Sequence, residues 1–191
     1  MDATQIGNMR LKQVAVMNGI FLGVIIIFFI VIEVFTVTFA QFFVFLGVVM
    51  LIQGVYGLLK GDSPKSIFSI FEQVAVYEKQ KMGSEWYKQR KIGFIWNLII
   101  GCLMFLQSIG NVNTTGDVLE FDLFFLAIIV FFMFVVTNFS LIIHFRKIDR
   151  STSENDFKGY ARKSSLRAVA VGLILGVVFA LITLSYIFSV I

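Results

Sequence analysis

Charged residues fall along this chain in clusters, and between the clusters run long stretches that carry none. Between Lys12 and Lys60 the only charge is Glu33. A bilayer core about 30 Å thick takes about 20 apolar residues to cross, so this stretch is too long for one crossing and suits two. The polar step from Thr36 to Thr38 divides it, predicting spans over 14–36 and 40–59. Lys91 to Asp117 encloses a third span over 92–110, and Asp122 to Arg146 a fourth over 123–145. Arg167 is the last charge, and a fifth span fills 168–190. The runs are continuous rather than alternating in segments of about ten residues, which excludes the strands of a transmembrane barrel.

The segment from Lys60 to Lys91 is patterned differently. Ser63-Pro64 reads as a helix cap followed by proline at the first helical position. Ile67, Ile70, Phe71, Val74 and Tyr77 then recur at helical spacing, with Lys65, Glu72, Glu78 and Lys79 on the opposite face. This predicts an amphipathic helix over 64–82 that lies in the membrane interface on the cytoplasmic side. Gly83 stops it, and Ser84 opens a continuation into the third span. Residues 149–160, DRSTSENDFKGY, read as a polar turn region between two basic helical ends. The expected fold is therefore all-α: a single polytopic integral membrane domain over 1–191, with five transmembrane helices and one cytoplasmic amphipathic helix.

Composition agrees with the pattern. The 191 residues are 58% hydrophobic and 15% charged, and the mean hydropathy is +0.89. A soluble domain is about 45–50% apolar and about 25% charged. A soluble enzyme, a disordered chain and a nucleic-acid-binding domain are all poor fits. Charge placement then sets orientation. Of 16 Lys and Arg, two lie before the first span, seven between the second and third, and seven between the fourth and fifth. With five spans all three segments share one side, and the other side carries only Asp117, Glu120 and Asp122. The positive-inside rule puts the N-terminus in the cytoplasm and the C-terminus outside a plasma membrane. The first run exceeds the apolar core of a cleaved leader, about 7–15 residues, and reads as an uncleaved anchor.

Candidate chemistry is sparse. Glu33 is the sole ionisable group within a predicted span, roughly 5 Å from its outer end at 1.5 Å per residue. Gln107 and Gln41 lie at matching depth and are its expected hydrogen-bond partners, making these three the candidate ligand or proton site. Asn97, Gln53 and Asn138 form a second polar layer near the inner side and should face the bundle interior. Small residues let helices approach closely in lipid. Ala168, Gly172, Gly176 and Ala180 stand four apart on one face of the fifth span, and Gly19 and Gly23 on the first. These are the candidate packing faces. Gly47 and Gly54, seven apart, with Gly57, and Gly93, Asn97 and Gly101, four apart, are further instances. The sole thiol, Cys102, and the sole histidine, His144, differ in depth by roughly 13 Å, too far for a nucleophilic dyad. No cofactor-binding motif and no convergent set of metal ligands is present. Asn113-Thr114-Thr115 is a glycosylation sequon on the outer side.

The sequence thus predicts a non-catalytic membrane protein without cofactor, whose partners are the bilayer and another membrane protein or a second copy. It would act through helix association as a subunit, an accessory protein or an immunity-type partner. The alternative is a small transporter or substrate-binding membrane component using Glu33 near the outer face.

Overall fold

The computed structural model describes residues 2–113 and 123–190, with side chains through 113, over 127–178 and at 181. Six α-helices account for nearly all of them: α1 (Ala3–Val34), α2 (Phe39–Lys60), α3 (Ser69–Met82), α4 (Ser84–Gly110), α5 (Leu123–Arg150) and α6 (Tyr160–Val190). A single 3-10 turn, Glu154–Phe157, lies between α5 and α6. No strand occurs among the described residues. Among the described residues, four helices are long and apolar enough to cross a membrane: α1, α2, α4 and the Ala127–Arg150 part of α5. This is the architecture of a multi-pass membrane protein.

The helix ends follow local chemistry. Thr36–Thr38 is the break between α1 and α2, and Thr38 caps α2 in a reciprocal box with Gln41, whose side chain accepts from the Thr38 N–H at 3.1 Å. At the other end of the bundle α3 turns into α4 at Gly83, which has φ +55°. The Glu154 carboxylate sits where a Cβ at Gly83 would be. A side chain there would be strained by its backbone and would also displace Glu154, so the corner admits only glycine.

Two expectations for the 60–91 segment are corrected. The helix begins at Ser69, and Ser63-Pro64 does not cap it; Phe68 is the cap residue, without a side-chain cap hydrogen bond. The apolar stripe also faces protein. Ile70, Val74, Ala75, Tyr77 and Met82 pack with Met9 of α1, Trp86 of α4, Ile148 of α5, Phe157 and Tyr160. Helix length explains this. The 32 residues of α1 measure about 48 Å at 1.5 Å per residue, well beyond a bilayer core of about 30 Å. The excess turns of α1, α4 and α5 stand clear of the apolar runs and offer α3 a protein surface. The 149–160 segment takes part too, because Phe157 is fully buried in the same core.

The spanning parts are organised by one tight seam. On α2, Gly47, Gly54 and Gly57 are buried against α4. A Cβ at Gly47 would lie 2.9 Å from the Phe105 ring and 3.2 Å from the Gly101 carbonyl oxygen. At Gly54 it would meet Leu98 at 2.6 Å and the Phe94 carbonyl oxygen at 3.0 Å, and at Gly57 it would overlap the Phe94 ring. Phe94, Leu98, Gly101 and Phe105 are spaced four, three and four apart on one face of α4, a knobs-into-holes period. Ser108 closes the far end by donating to the Ala40 carbonyl at 3.0 Å. The α1–α5 contact is lighter. Asn18 and Asn138 pair through their amides at 3.0 and 3.1 Å, and Phe21 meets Phe134 edge-on at 4.7 Å.

Candidate functional site

The polar groups that converge in this structure lie at the end of the bundle where the Lys and Arg cluster. Arg10 and Gln13 are one turn apart on α1 and share a face. Tyr77 and Glu78 come from α3, His144, Phe145 and Asp149 from α5, and Tyr160 opens α6. Arg10 is only 7% exposed. Its guanidinium donates to Glu78 Oε1 at 2.7 Å, to Gln13 Oε1 at 3.0 Å and to Asp149 Oδ1 at 3.0 Å and Oδ2 at 3.4 Å. It lies over the Phe145 ring at 4.3 Å, adding a cation–π contact on a desolvated cation. The Tyr77 hydroxyl donates to Asp149 Oδ1 at 3.1 Å. His144 approaches Glu78 Oε1 through Nε2 at 3.5 Å and the Tyr160 hydroxyl through Nδ1 at 3.0 Å.

The electrostatics follow from burial. One guanidinium faces two carboxylates. Burial would raise the Glu78 carboxyl, but hydrogen bonding and charge from His144 and Arg10 outweigh it and hold the group below its ordinary range. Burial and the Asp149 charge push the Tyr77 phenol up to about 12, so it remains a proton donor at neutral pH. Because Glu78 titrates lower in the folded protein, its contribution to stability is complete above the ordinary carboxylate value, about 4.3. That contribution is lost as pH falls from there through the folded value. Between about pH 5 and pH 3 the stability of Glu78→Gln should therefore fall less steeply than that of the parent chain, measured by thermal unfolding in detergent. Parallel slopes would contradict this linkage.

A second polar junction braces the site. Glu85 accepts from Lys88 Nζ at 2.8 Å and from the Ala161 N–H at 3.2 Å, placing a carboxylate on the first turn of α6, where unpaired amides and the helix dipole favour one. Among the described residues no three His, Cys, Asp or Glu side chains form a metal-ligating group.

The residues singled out from sequence stand elsewhere. Glu33 is exposed and makes no hydrogen bond or ion pair with the described residues. The Gln41 side chain is engaged in capping α2, and Gln107 is exposed, its backbone carbonyl accepting from the Asn111 side chain at 2.7 Å. The three do not come together. Of the inner polar layer, Asn138 finds Asn18, Asn97 is half-buried and Gln53 is exposed. Nothing lies within 4 Å of a Cβ built at Gly19, Gly23, Gly172 or Gly176, and Ala168 is exposed. The side chain of Ala180 lies outside the described residues, as do Thr114, Thr115, Asp117, Glu120 and Asp122. Cys102 is exposed on α4, while His144 belongs to the charge cluster. Sequence reasoning missed this cluster. Glu78 reads as part of a solvated face and Arg10 as a topology signal. The one available hint is that Glu78 adjoins Tyr77 at the edge of the apolar stripe.

No protein-family model matches the chain, and neither the curated proteins nor the solved structures contain a match.

Proposed function

We propose that this chain is a non-catalytic plasma-membrane protein with α6 as its fifth span, working as a subunit or accessory, immunity-type partner of a membrane complex. The observation that carries the reading is how its small residues are used. Gly47, Gly54, Gly57 and Gly101 are spent on the α2–α4 seam, whereas Gly172 and Gly176 of α6 and Gly19 and Gly23 of α1 meet nothing within 4 Å. The apolar side chains around them, including Leu173, Val177, Ile20 and Ile27, are exposed. These faces carry the small residues that allow close approach, and no described residue covers them at the glycines. The distribution of Lys and Arg supports a cytoplasmic N-terminus and an outer C-terminus. The transport reading rests on Glu33, which gains no polar neighbour among the described residues to favour it.

Gly172→Leu and Gly176→Leu test the proposal. The purified monomer should keep its thermal stability within about 0.5 kcal/mol, as for substitutions away from packed features. Self-association, or co-purification of a membrane partner in mild detergent, should be lost. A destabilised monomer would place the face inside the fold, and unchanged association would sink the proposal.

A further inference from the structure

Beside the charge cluster, a cavity of about 380 Å³ opens between α1, α3, α4 and α5. Its polar wall is made by Gln13, Glu78, Gln89, Arg90 and His144, with Trp86 at one side. We propose that this cavity binds a phosphate group, held chiefly by Arg90.

The argument starts from donors and acceptors. Arg90 is half-buried, and its guanidinium lies over the Trp86 ring at 4.6 Å and the Phe94 ring at 5.6 Å. The two rings fix the plane of the cation without using any of its five N–H groups. No described residue accepts a hydrogen bond from it, in contrast to Arg10, which spends its donors on three side chains. Gln13 uses its amide oxygen to accept from Arg10, which leaves its NH₂ undirected toward any described acceptor. Gln89 adds a second amide to the same wall. The carboxylate that shares the cavity, Glu78, is already matched by Arg10 at 2.7 Å and His144 at 3.5 Å. The cavity thus holds a guanidinium and a set of N–H donors that no described residue accepts from. Glu78 supplies charge nearby but no hydrogen bond to Arg90, and half-buried N–H donors without an acceptor are costly. A planar fork of donors fits a tetrahedral oxyanion carrying several acceptors, and phosphate matches that fork bidentately.

Two sources carry this chemistry, a phospholipid headgroup and a free phosphate. Arg90 and Lys91 stand where the charge-free run of α4 begins, with Phe94 one turn further in. That is headgroup level if α4 spans the bilayer as its length and composition indicate. The geometry of the cavity itself does not depend on that placement, nor on whether the protein has a partner.

The test uses the full chain purified in an uncharged detergent and reads tryptophan fluorescence from Trp86 and Trp96, with the Arg90 and Gln89 variants separating the signal of the cavity. One arm titrates inorganic phosphate; the other titrates a short-chain phosphatidylglycerol dispersed in the same detergent. Saturable binding in both arms assigns the site to the phosphate group itself. Saturation by the lipid alone assigns it to the headgroup with its chain. In either case Arg90→Gln should weaken binding by about tenfold or more, the loss of charged hydrogen bonds, and Arg90→Lys should recover only part. Gln89→Leu is the second variant, expected to weaken binding severalfold with the parent thermal stability, and it carries the test if Arg90→Gln does not fold. No saturable binding in either arm, or binding unchanged by these substitutions, would overturn the proposal.

Discussion

Arg10→Met is expected to cost about 3 kcal/mol of stability or more, the most of any single substitution considered for this chain, because it leaves the buried Glu78 and the half-buried Asp149 carboxylates without their cation. Glu78 and Asp149 both bond to that guanidinium, and Arg10 itself is 7% exposed. Methionine keeps an unbranched stem, so the loss reports the charge, its hydrogen bonds and its contact with the Phe145 ring more than volume. The triple variant Arg10→Met, Glu78→Gln, Asp149→Asn should recover much of the loss, since neutral amides need no counter-charge. Thermal unfolding of the purified proteins measures both. If Arg10→Met unfolds like the parent chain, the cluster does not hold α1, α3 and α5 together. Arg10→Lys should fall between the two, because an ammonium cannot span both carboxylates and Gln13 with a planar fork.

Gly54→Leu is expected to open the α2–α4 seam, at a cost near the top of the range for overpacking, about 3 kcal/mol. The neighbour of a Cβ at this position includes the Phe94 carbonyl oxygen at 3.0 Å as well as Leu98. A flexible side chain could turn aside, but a backbone carbonyl moves only with its helix, so the two helices must separate. Gly93→Leu on the same α4 is the control: nothing lies within 4 Å of a Cβ there, and stability should hold. An equal gain of stability at Gly54 and Gly93, which is what helix propensity alone gives when glycine is replaced by leucine, about 1 kcal/mol per residue, would show that close approach does not hold the seam.

Sequence alone determined the helical class, the positions of the apolar runs and most of the breaks between them. Thr36–Thr38 and Gly83 are legible because capping and positive φ are properties of one or two residues. Hydrophobic length is likewise a local sum, so the runs at 40–59, 92–110 and 123–145 fall inside observed helices, and the run at 14–36 overruns α1 by two residues. What sequence could not decide is which faces meet. Gly47–Gly54 and Gly172–Gly176 are the same kind of signal in one dimension; only the placement of α4 against α2 makes the first a seam and leaves the second open. Glu33, Gln107 and Gln41 share a depth, but depth is one coordinate and contact needs the rotation of each helix as well. The charge cluster shows the same limit most sharply. Arg10, Glu78 and Asp149 are separated by 68 and 71 positions along the chain, and each alone reads as a solvated charge. Burial turns them into partners, and burial exists only where the protruding turns of α1 and α5 meet the far side of α3.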